Sequence, residues 1–109
     1  MSPSDEFPYV LSERAQRDLR DIANRIAFDN PAAAIRVIDA LLNTIKFLAQ
    51  FSSVGLVRDD LRPGLRVFPA QKPAQSYVIL FRQLPFGIQI VTISHGARDL
   101  SKLAESDDL

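Results

Sequence analysis

The segment after the last predicted strand combines residue types that can act on a phosphate or a proton. It runs Ser94-His95-Gly96-Ala97-Arg98-Asp99-Leu100 and contains the only histidine of the chain. Histidine exchanges protons near neutral pH, and arginine stabilises the charge that develops on a phosphate. Two more arginines lie on or beside predicted strands. The candidate set for phosphodiester cleavage is therefore Arg66, Arg82, His95 and Arg98.

These residues also have structural interpretations. His95 can hydrogen-bond a loop carbonyl at the end of its strand and so set the turn into Gly96. Arg98 can pair with the adjacent Asp99. The arginines at positions 58, 62 and 66 can form a solvated loop face. The sequence leaves both interpretations open.

Composition disfavours several other function classes. The chain has no cysteine, a single histidine and scattered carboxylates, so neither a metal site nor any cofactor is expected. No glycine-rich loop follows a strand to cradle a nucleotide. No apolar run approaches the ~20 residues that span a bilayer, and Met1-Ser2-Pro3-Ser4-Asp5-Glu6 lacks the apolar stretch of a secretory signal. We therefore expect a cytoplasmic protein without a membrane partner.

The zero net charge hides an asymmetry between segments. Residues 51–98 contain six basic and two acidic side chains, whereas residues 99–109 contain one basic and four acidic ones. A basic segment of this kind can meet an acidic partner or a phosphate backbone. It can equally be a solvated sheet surface.

Capping residues and apolar periodicity predict two consecutive helices. Ser12 is a favourable N-cap for a helix that ends near Asp29, with an apolar stripe at helical spacing. Asn30-Pro31 then restarts the chain as a second helix, because Asn caps well and Pro suits the first helical position. The connection is only a few residues long, so the helices should form an antiparallel hairpin.

Strands flank this helical hairpin. We predict strands at 7–11, 65–68, 77–81 and 88–94, with a loop over 51–64, a short helix over 97–103 and an antiparallel meander of the last three strands. The strand at 77–81 is uninterrupted by polar residues and should be covered on both faces. The fold class is α+β, β-α-α-β-β-β, with the N-terminal strand and helical hairpin packed on a small antiparallel sheet. Residues 1–109 should form one domain, with residues 1–6 and 104–109 frayed.

The order of these features resembles a known family. The segment from Ser94 to Leu100, together with Arg58-Asp59-Asp60-Leu61-Arg62-Pro63-Gly64-Leu65-Arg66, is similar to the signature of ParE toxins in the RelE/ParE superfamily. The resemblance extends from Tyr9 to Leu103 and implies the same order of strands and helices.

The resemblance also implies a function. It indicates the toxin of a type II toxin–antitoxin system, which inhibits a type II topoisomerase, DNA gyrase, by binding and is neutralised by a ParD-like antitoxin. Direct sequence-specific nucleic-acid binding is not expected. The alternatives are a ribosome-associated endoribonuclease of RelE type and an inactive member that retains only antitoxin binding. Ribonuclease relatives carry an arginine on the middle strand at the position of Val78, which here belongs to an apolar strand expected to be core.

Two candidate interfaces follow from this interpretation. The target-binding residues are expected to be His95 and Arg98, presented by the turn at Gly96. The second helix has an apolar arc wider than one packing face requires, and an antitoxin helix could bind along it. The expected antitoxin-binding residues are the apolar Ile38, Leu42 and Ala49 and the basic Arg58 and Arg62.

Overall fold

The computed structural model describes residues 8–96 and residue 100. Its elements run in the order β1 (Tyr9–Leu11), α1 (Glu13–Asp29), α2 (Pro31–Gln50), β2 (Leu56–Val57), β3 (Leu65–Pro69), β4 (Tyr77–Leu84) and β5 (Gly87–His95). The predicted α+β class is confirmed. The expectations for residues 1–6 and 104–109, and all of the predicted short helix at 97–103 except Leu100, lie outside the described residues.

Both helices begin at the predicted caps. The hydroxyl oxygen of Ser12 accepts a hydrogen bond from the backbone N–H of Ala15 at 2.9 Å. The side chain of Asn30 accepts one from the N–H of Ala33 at 3.0 Å, and Pro31 occupies the first turn of α2. These caps satisfy N–H groups that have no partner within a helix. The two helices consequently form the predicted hairpin, joined by Asn30 alone.

One mixed sheet of five strands forms the second layer, in the order β1-β5-β4-β3-β2. The predicted meander is confirmed, since β3 pairs antiparallel with β4 and β4 with β5. β1 pairs parallel with β5. The segment 51–64 was predicted as loop throughout, but it contains the two-residue strand β2, which pairs with β3.

The sheet is covered on both faces, although unequally. The main core lies between the sheet and the helical hairpin and includes Leu41, Ile45, Ile79 and Phe81, all fully buried. We call the opposite side of the sheet the outer face. A smaller cluster covers part of it and consists of Leu65, Leu80, Val91 and Leu100, with Leu61, Val67 and Val78 packed against it. β4 is therefore covered on both faces, as predicted, but Val78 is only partly buried.

Candidate functional site

Strand register separates the arginines that the sequence suggested as one site. Residues directly opposite each other in neighbouring strands share a face of the sheet. Arg66 pairs with Phe81 and so lies on the helix-facing side, whereas Arg82 pairs with Leu65 on the outer face. The candidate ribonuclease set is therefore not brought together. His95 also belongs to the helix-facing side, opposite Tyr77.

The contacts of the two arginines confirm this separation. One terminal nitrogen of Arg66, Nη1, donates to the backbone carbonyl of Ser53 at 3.0 Å, which ties β3 to the loop after α2. On the outer face, Nε of Arg82 donates to Oε1 of Gln89 at 2.7 Å. Gln89 was not predicted as a site residue. It could have been found, because positions 82 and 89 are symmetrical about the hairpin turn at Pro85-Phe86.

His95 stands at the exposed end of β5, where its ring contacts another aromatic ring. The ring centroids of Tyr77 and His95 are 5.1 Å apart and the planes meet at 84°, an edge-to-face arrangement. The turn itself is closed by the backbone, since the N–H of Gly96 donates to the carbonyl of Ser76 at 2.7 Å. Gly96 has a φ of 73°, which glycine adopts readily. Arg98, the other expected target-binding residue, lies outside the described residues.

A carboxylate next to His95 has a role that the sequence did not reveal. Oδ2 of Asp18 accepts hydrogen bonds from the hydroxyl of Thr92 at 2.6 Å and from the backbone N–H of Ile93 at 2.9 Å. β1 pairs with β5 only as far as Ile90, so α1 covers the remaining edge of β5. Asp18 therefore supplies the hydrogen-bond acceptor that the carbonyl of a neighbouring strand would otherwise supply at this edge. The sequence offered no signal for it, because the contact joins positions about 75 residues apart.

A pocket of about 300 Å³ opens on the outer face. We call it the outer pocket. Its lining comes from three strands, the loop before β3 and the cap of α1, and consists of Ser12, Arg62, Pro63, Leu65, Arg82, Gln89 and Val91. Among the described residues that line it, two side chains are cationic and none is acidic, which favours anionic groups. Of the basic residues expected to contact an antitoxin, only Arg62 lines it.

Arg58 is held within its own loop. Its Nε and Nη2 atoms donate to the two carboxylate oxygens of Asp60, each at 2.9 Å. This hydrogen bonding lowers the pKa of Asp60 and raises that of Arg58. Asp59 accepts a hydrogen bond from the N–H of Gly64 at 2.8 Å and so closes the same loop. The negative charge of the Asp60 carboxylate therefore offsets the positive charge of Arg58.

The expected apolar arc on α2 is only partly available for binding. Ala49 is buried in the main core with 5% of its surface exposed, and Leu42 packs against the same core. Ala49 therefore cannot line an open groove, which corrects that expectation. Ile38 does line a shallow groove of about 490 Å³ between the helices, beside the exposed Ile35. We call this the hairpin groove; its other lining residues are Ala23, Asn24, Ala27, Pro31, Ala34 and Asp39.

Comparison with known proteins identifies the family. A sequence model described as the ParE toxin of the type II toxin–antitoxin system, parDE, matches residues 9–100. The chain belongs to this family. Its fold is similar to that of a chain from the solved chromosomal ParDE toxin–antitoxin system of P. aeruginosa, with a TM-score of 0.69, 22% identity, and coverage of 84% of this chain and 97% of the other. A search of curated proteins finds no match.

Membership of the ParE family explains the arrangement of elements and implies a ParD-like antitoxin as partner. The match covers β1, both helices and the whole sheet, so it spans the hairpin groove as well as the outer pocket. Neither helix of the described residues is long and apolar enough to cross a membrane.

Proposed function

We propose that this ParE family member inhibits a type II topoisomerase, DNA gyrase, by binding it, and that a ParD-like antitoxin neutralises the toxin. The observation that carries this proposal is the family match over residues 9–100. Gyrase is the target implied by the ParE resemblance of the sequence. The proposed toxin acts through its surfaces and not through a reaction.

The distribution of cationic residues supports binding over RNA cleavage. Cleavage of a phosphodiester requires a cation at the developing charge and a proton-transferring group within hydrogen-bond reach of the reacting hydroxyl. Arg82 is on the outer face, whereas Arg66 and His95 are on the helix-facing side. Arg66 also donates to the carbonyl of Ser53. A single phosphate on one face of the sheet therefore cannot meet all three groups.

The proposed target surface is the end of β5, with His95 and Arg98 as its contacts. His95 is exposed there, with its ring against Tyr77. Arg98 follows two residues after Gly96, at which the chain turns with a positive φ. Replacing Arg98 with Ala should abolish growth inhibition while antitoxin affinity and melting temperature stay nearly unchanged. A variant with full toxicity would remove Arg98 from the target surface.

The proposed antitoxin surface is the hairpin groove. Its lining is mostly apolar and includes the exposed Ile35, and the exposed Phe28 lies at the end of α1, next to the Asn30 connection of the hairpin. An amphipathic helix can bind such a groove through apolar residues at helical spacing. Arg62 lines the outer pocket, on the side of the sheet opposite the helices. An antitoxin that contacts both the hairpin groove and Arg62 must therefore extend past the edge of the sheet. We therefore propose two separate antitoxin contacts.

A matched pair of variants tests the groove. Ile35 and Phe86 are both exposed apolar residues, but Phe86 lies on the β4–β5 turn, away from the groove. Ile35→Glu should weaken antitoxin binding by at least about tenfold, which corresponds to about 1.4 kcal/mol. Phe86→Glu should leave it unchanged. Equal affinity of both variants, with unfolding curves like that of the unmodified chain, would rule the groove out.

Supercoiling by purified gyrase tests the function itself. The purified chain should inhibit supercoiling in proportion to its concentration, and an equimolar cognate antitoxin should restore the activity. Arg98→Ala should fail to inhibit, whereas Arg36→Gln, an exposed arginine change on α2, should inhibit normally. Unaffected supercoiling at concentrations where the chain stops growth would show that another target is involved.

A further inference from the structure

A further pocket opens between α1 and the end of β5. It has a volume of about 210 Å³, and we call it the strand-end pocket. Its lining comes from one face of α1, the first residue of β4 and the end of β5, and consists of Asp18, Asp21, Ile22, Arg25, Tyr77, Ile93 and His95. It shares no described lining residue with the outer pocket or the hairpin groove.

The helix side of the strand-end pocket is negatively charged. Oδ2 of Asp18 already accepts from the hydroxyl of Thr92 and the N–H of Ile93. Asp21 is exposed and makes no hydrogen bond or ion pair within the part of the chain that the structure describes. Arg25 adds one positive charge, and histidine is mostly neutral near pH 7. The described lining therefore has two carboxylates against one guanidinium and favours a cation.

Tyr77 presents an unpaired hydroxyl to this pocket. The residue is 7% exposed, and its ring packs in the main core and against the ring of His95. Its hydroxyl has no hydrogen-bond partner among the described residues, although buried polar groups normally have one. Every fully enclosed side-chain nitrogen or oxygen of the described residues does have a partner. The hydroxyl is therefore not enclosed, and it opens onto the pocket that Tyr77 lines.

The hydrogen-bonding groups of the pocket suit a guanidinium. The carboxylate of Asp21 offers two acceptor oxygens, the hydroxyl of Tyr77 can accept, and the neutral imidazole of His95 accepts through one nitrogen. A guanidinium has five N–H donors in a planar fork and no acceptor, and it can donate two parallel hydrogen bonds to one carboxylate. The pocket and an arginine side chain are thus complementary in both charge and hydrogen bonding.

We propose that the strand-end pocket binds a guanidinium group, and that the protein inhibited by this chain inserts an arginine side chain into it. The guanidinium donates to the carboxylate of Asp21 and to the hydroxyl oxygen of Tyr77. His95 belongs both to the pocket lining and to the proposed target surface. Guanidinium binding is a property of the chain itself, whereas the source of the arginine rests on the function proposed above.

Titration of the full chain with Nα-acetyl-arginine amide tests the pocket without any partner protein. At low ionic strength, where exposed charges are least screened, this probe should shift the NMR signals of the His95 imidazole and the Tyr77 ring. Nα-acetyl-citrulline amide has a neutral urea in place of the guanidinium and should leave these signals unchanged. Equal shifts with both probes, or no shift with the arginine probe, would overturn the proposal.

Two substitutions, each with a matched control, locate the bound guanidinium. Asp21→Asn should weaken binding of the arginine probe by at least about tenfold, because a charge-assisted hydrogen-bonding partner is lost. Asp29→Asn, also exposed on α1, should not change it. Tyr77→Phe keeps the ring and should weaken binding about threefold, whereas Tyr9→Phe on β1 should have no effect. Unchanged affinity in both Asp21→Asn and Tyr77→Phe would show that the probe binds elsewhere.

Supercoiling by purified gyrase tests the source of the arginine. Asp21→Asn should need at least about tenfold more protein than the unmodified chain for the same inhibition, while Asp29→Asn should inhibit normally. Equal inhibition by the unmodified chain and Asp21→Asn would refute insertion of a target arginine. An unmodified chain that does not inhibit would instead contradict gyrase as the target, and the arginine titration would still decide whether the pocket binds a guanidinium.

Discussion

Individual residues in this chain take their roles from the strand register, which their types do not reveal. Arg66 and Arg82 looked equivalent in the sequence, yet one supports a loop through the carbonyl of Ser53 and the other faces an open pocket. A shift of register by one residue would exchange these two environments. Register depends on pairing between distant segments, so the sequence correctly suggested a cationic sheet but not the face on which each arginine lies.

Asp18 should contribute to stability more than its position on a helix surface suggests. Asp18→Ala leaves the N–H of Ile93 and the hydroxyl of Thr92 without their acceptor, and Thr92 is 1% exposed. We expect a loss of about 1–3 kcal/mol in the free energy of unfolding, measured by urea denaturation. Asp21→Ala, one turn further along α1 at an exposed position, should change it by less than about 0.5 kcal/mol. Equal effects of the two substitutions would refute this role of Asp18.

The contact between Arg58 and Asp60 should have a defined pH dependence. Hydrogen bonding from Arg58 lowers the pKa of Asp60 in the folded chain. A carboxyl with a lowered folded pKa stabilises the fold above its unfolded pKa, and this contribution disappears as the pH falls through the folded value. Arg58→Gln should raise the pKa of Asp60 toward its ordinary value, as measured by NMR titration of the carboxyl carbon. Arg36→Gln serves as the control and should leave that titration unchanged.

The secondary-structure elements were largely predictable because local signals specify them. Ser12, Asn30 and Pro31 set the helix boundaries at the places where the structure has them. β2 was missed because two residues are too short to show an alternating pattern. The parallel pairing of β1 with β5 was also not predicted, since it joins segments about 80 residues apart that have no local signature.

The two helix caps should differ in importance although they use the same chemistry. Ser12 accepts from the N–H of Ala15 and also donates to the carbonyl of Val91 at 2.6 Å, whereas the side chain of Asn30 makes, within residues 8–96, only the capping bond at the exposed turn. Loss of a cap costs about 1 kcal/mol, and loss of the second bond adds about another 1 kcal/mol. Ser12→Ala should thus destabilise the chain by about twice as much as Asn30→Ala in urea unfolding. Equal destabilisation would mean that the bond from Ser12 to β5 contributes nothing.

At the scale of the whole molecule, the two layers carry surfaces of different character. The helical layer presents the mostly apolar hairpin groove, and the outer face of the sheet presents the cationic outer pocket. The sequence predicted a basic second half and an apolar second helix. It could not predict that the sheet separates them, because this separation depends on the side of the sheet to which the helical hairpin packs. A protein that binds both surfaces must therefore contact both layers.

The candidate residues for RNA cleavage lie on different faces of the sheet, and this leads to a prediction about catalysis. Val78 is partly buried beside the apolar cluster of the outer face, so this position supplies no cation to a phosphate there. Arg82 is the only one of the described candidates Arg66, Arg82 and His95 on that face. The purified chain should therefore leave ribosome-bound messenger RNA intact at concentrations that inhibit supercoiling, while a RelE-type ribonuclease cleaves the same complexes. Site-specific cleavage that disappears in His95→Ala would contradict this, because the histidine would then be acting on RNA from the helix-facing side.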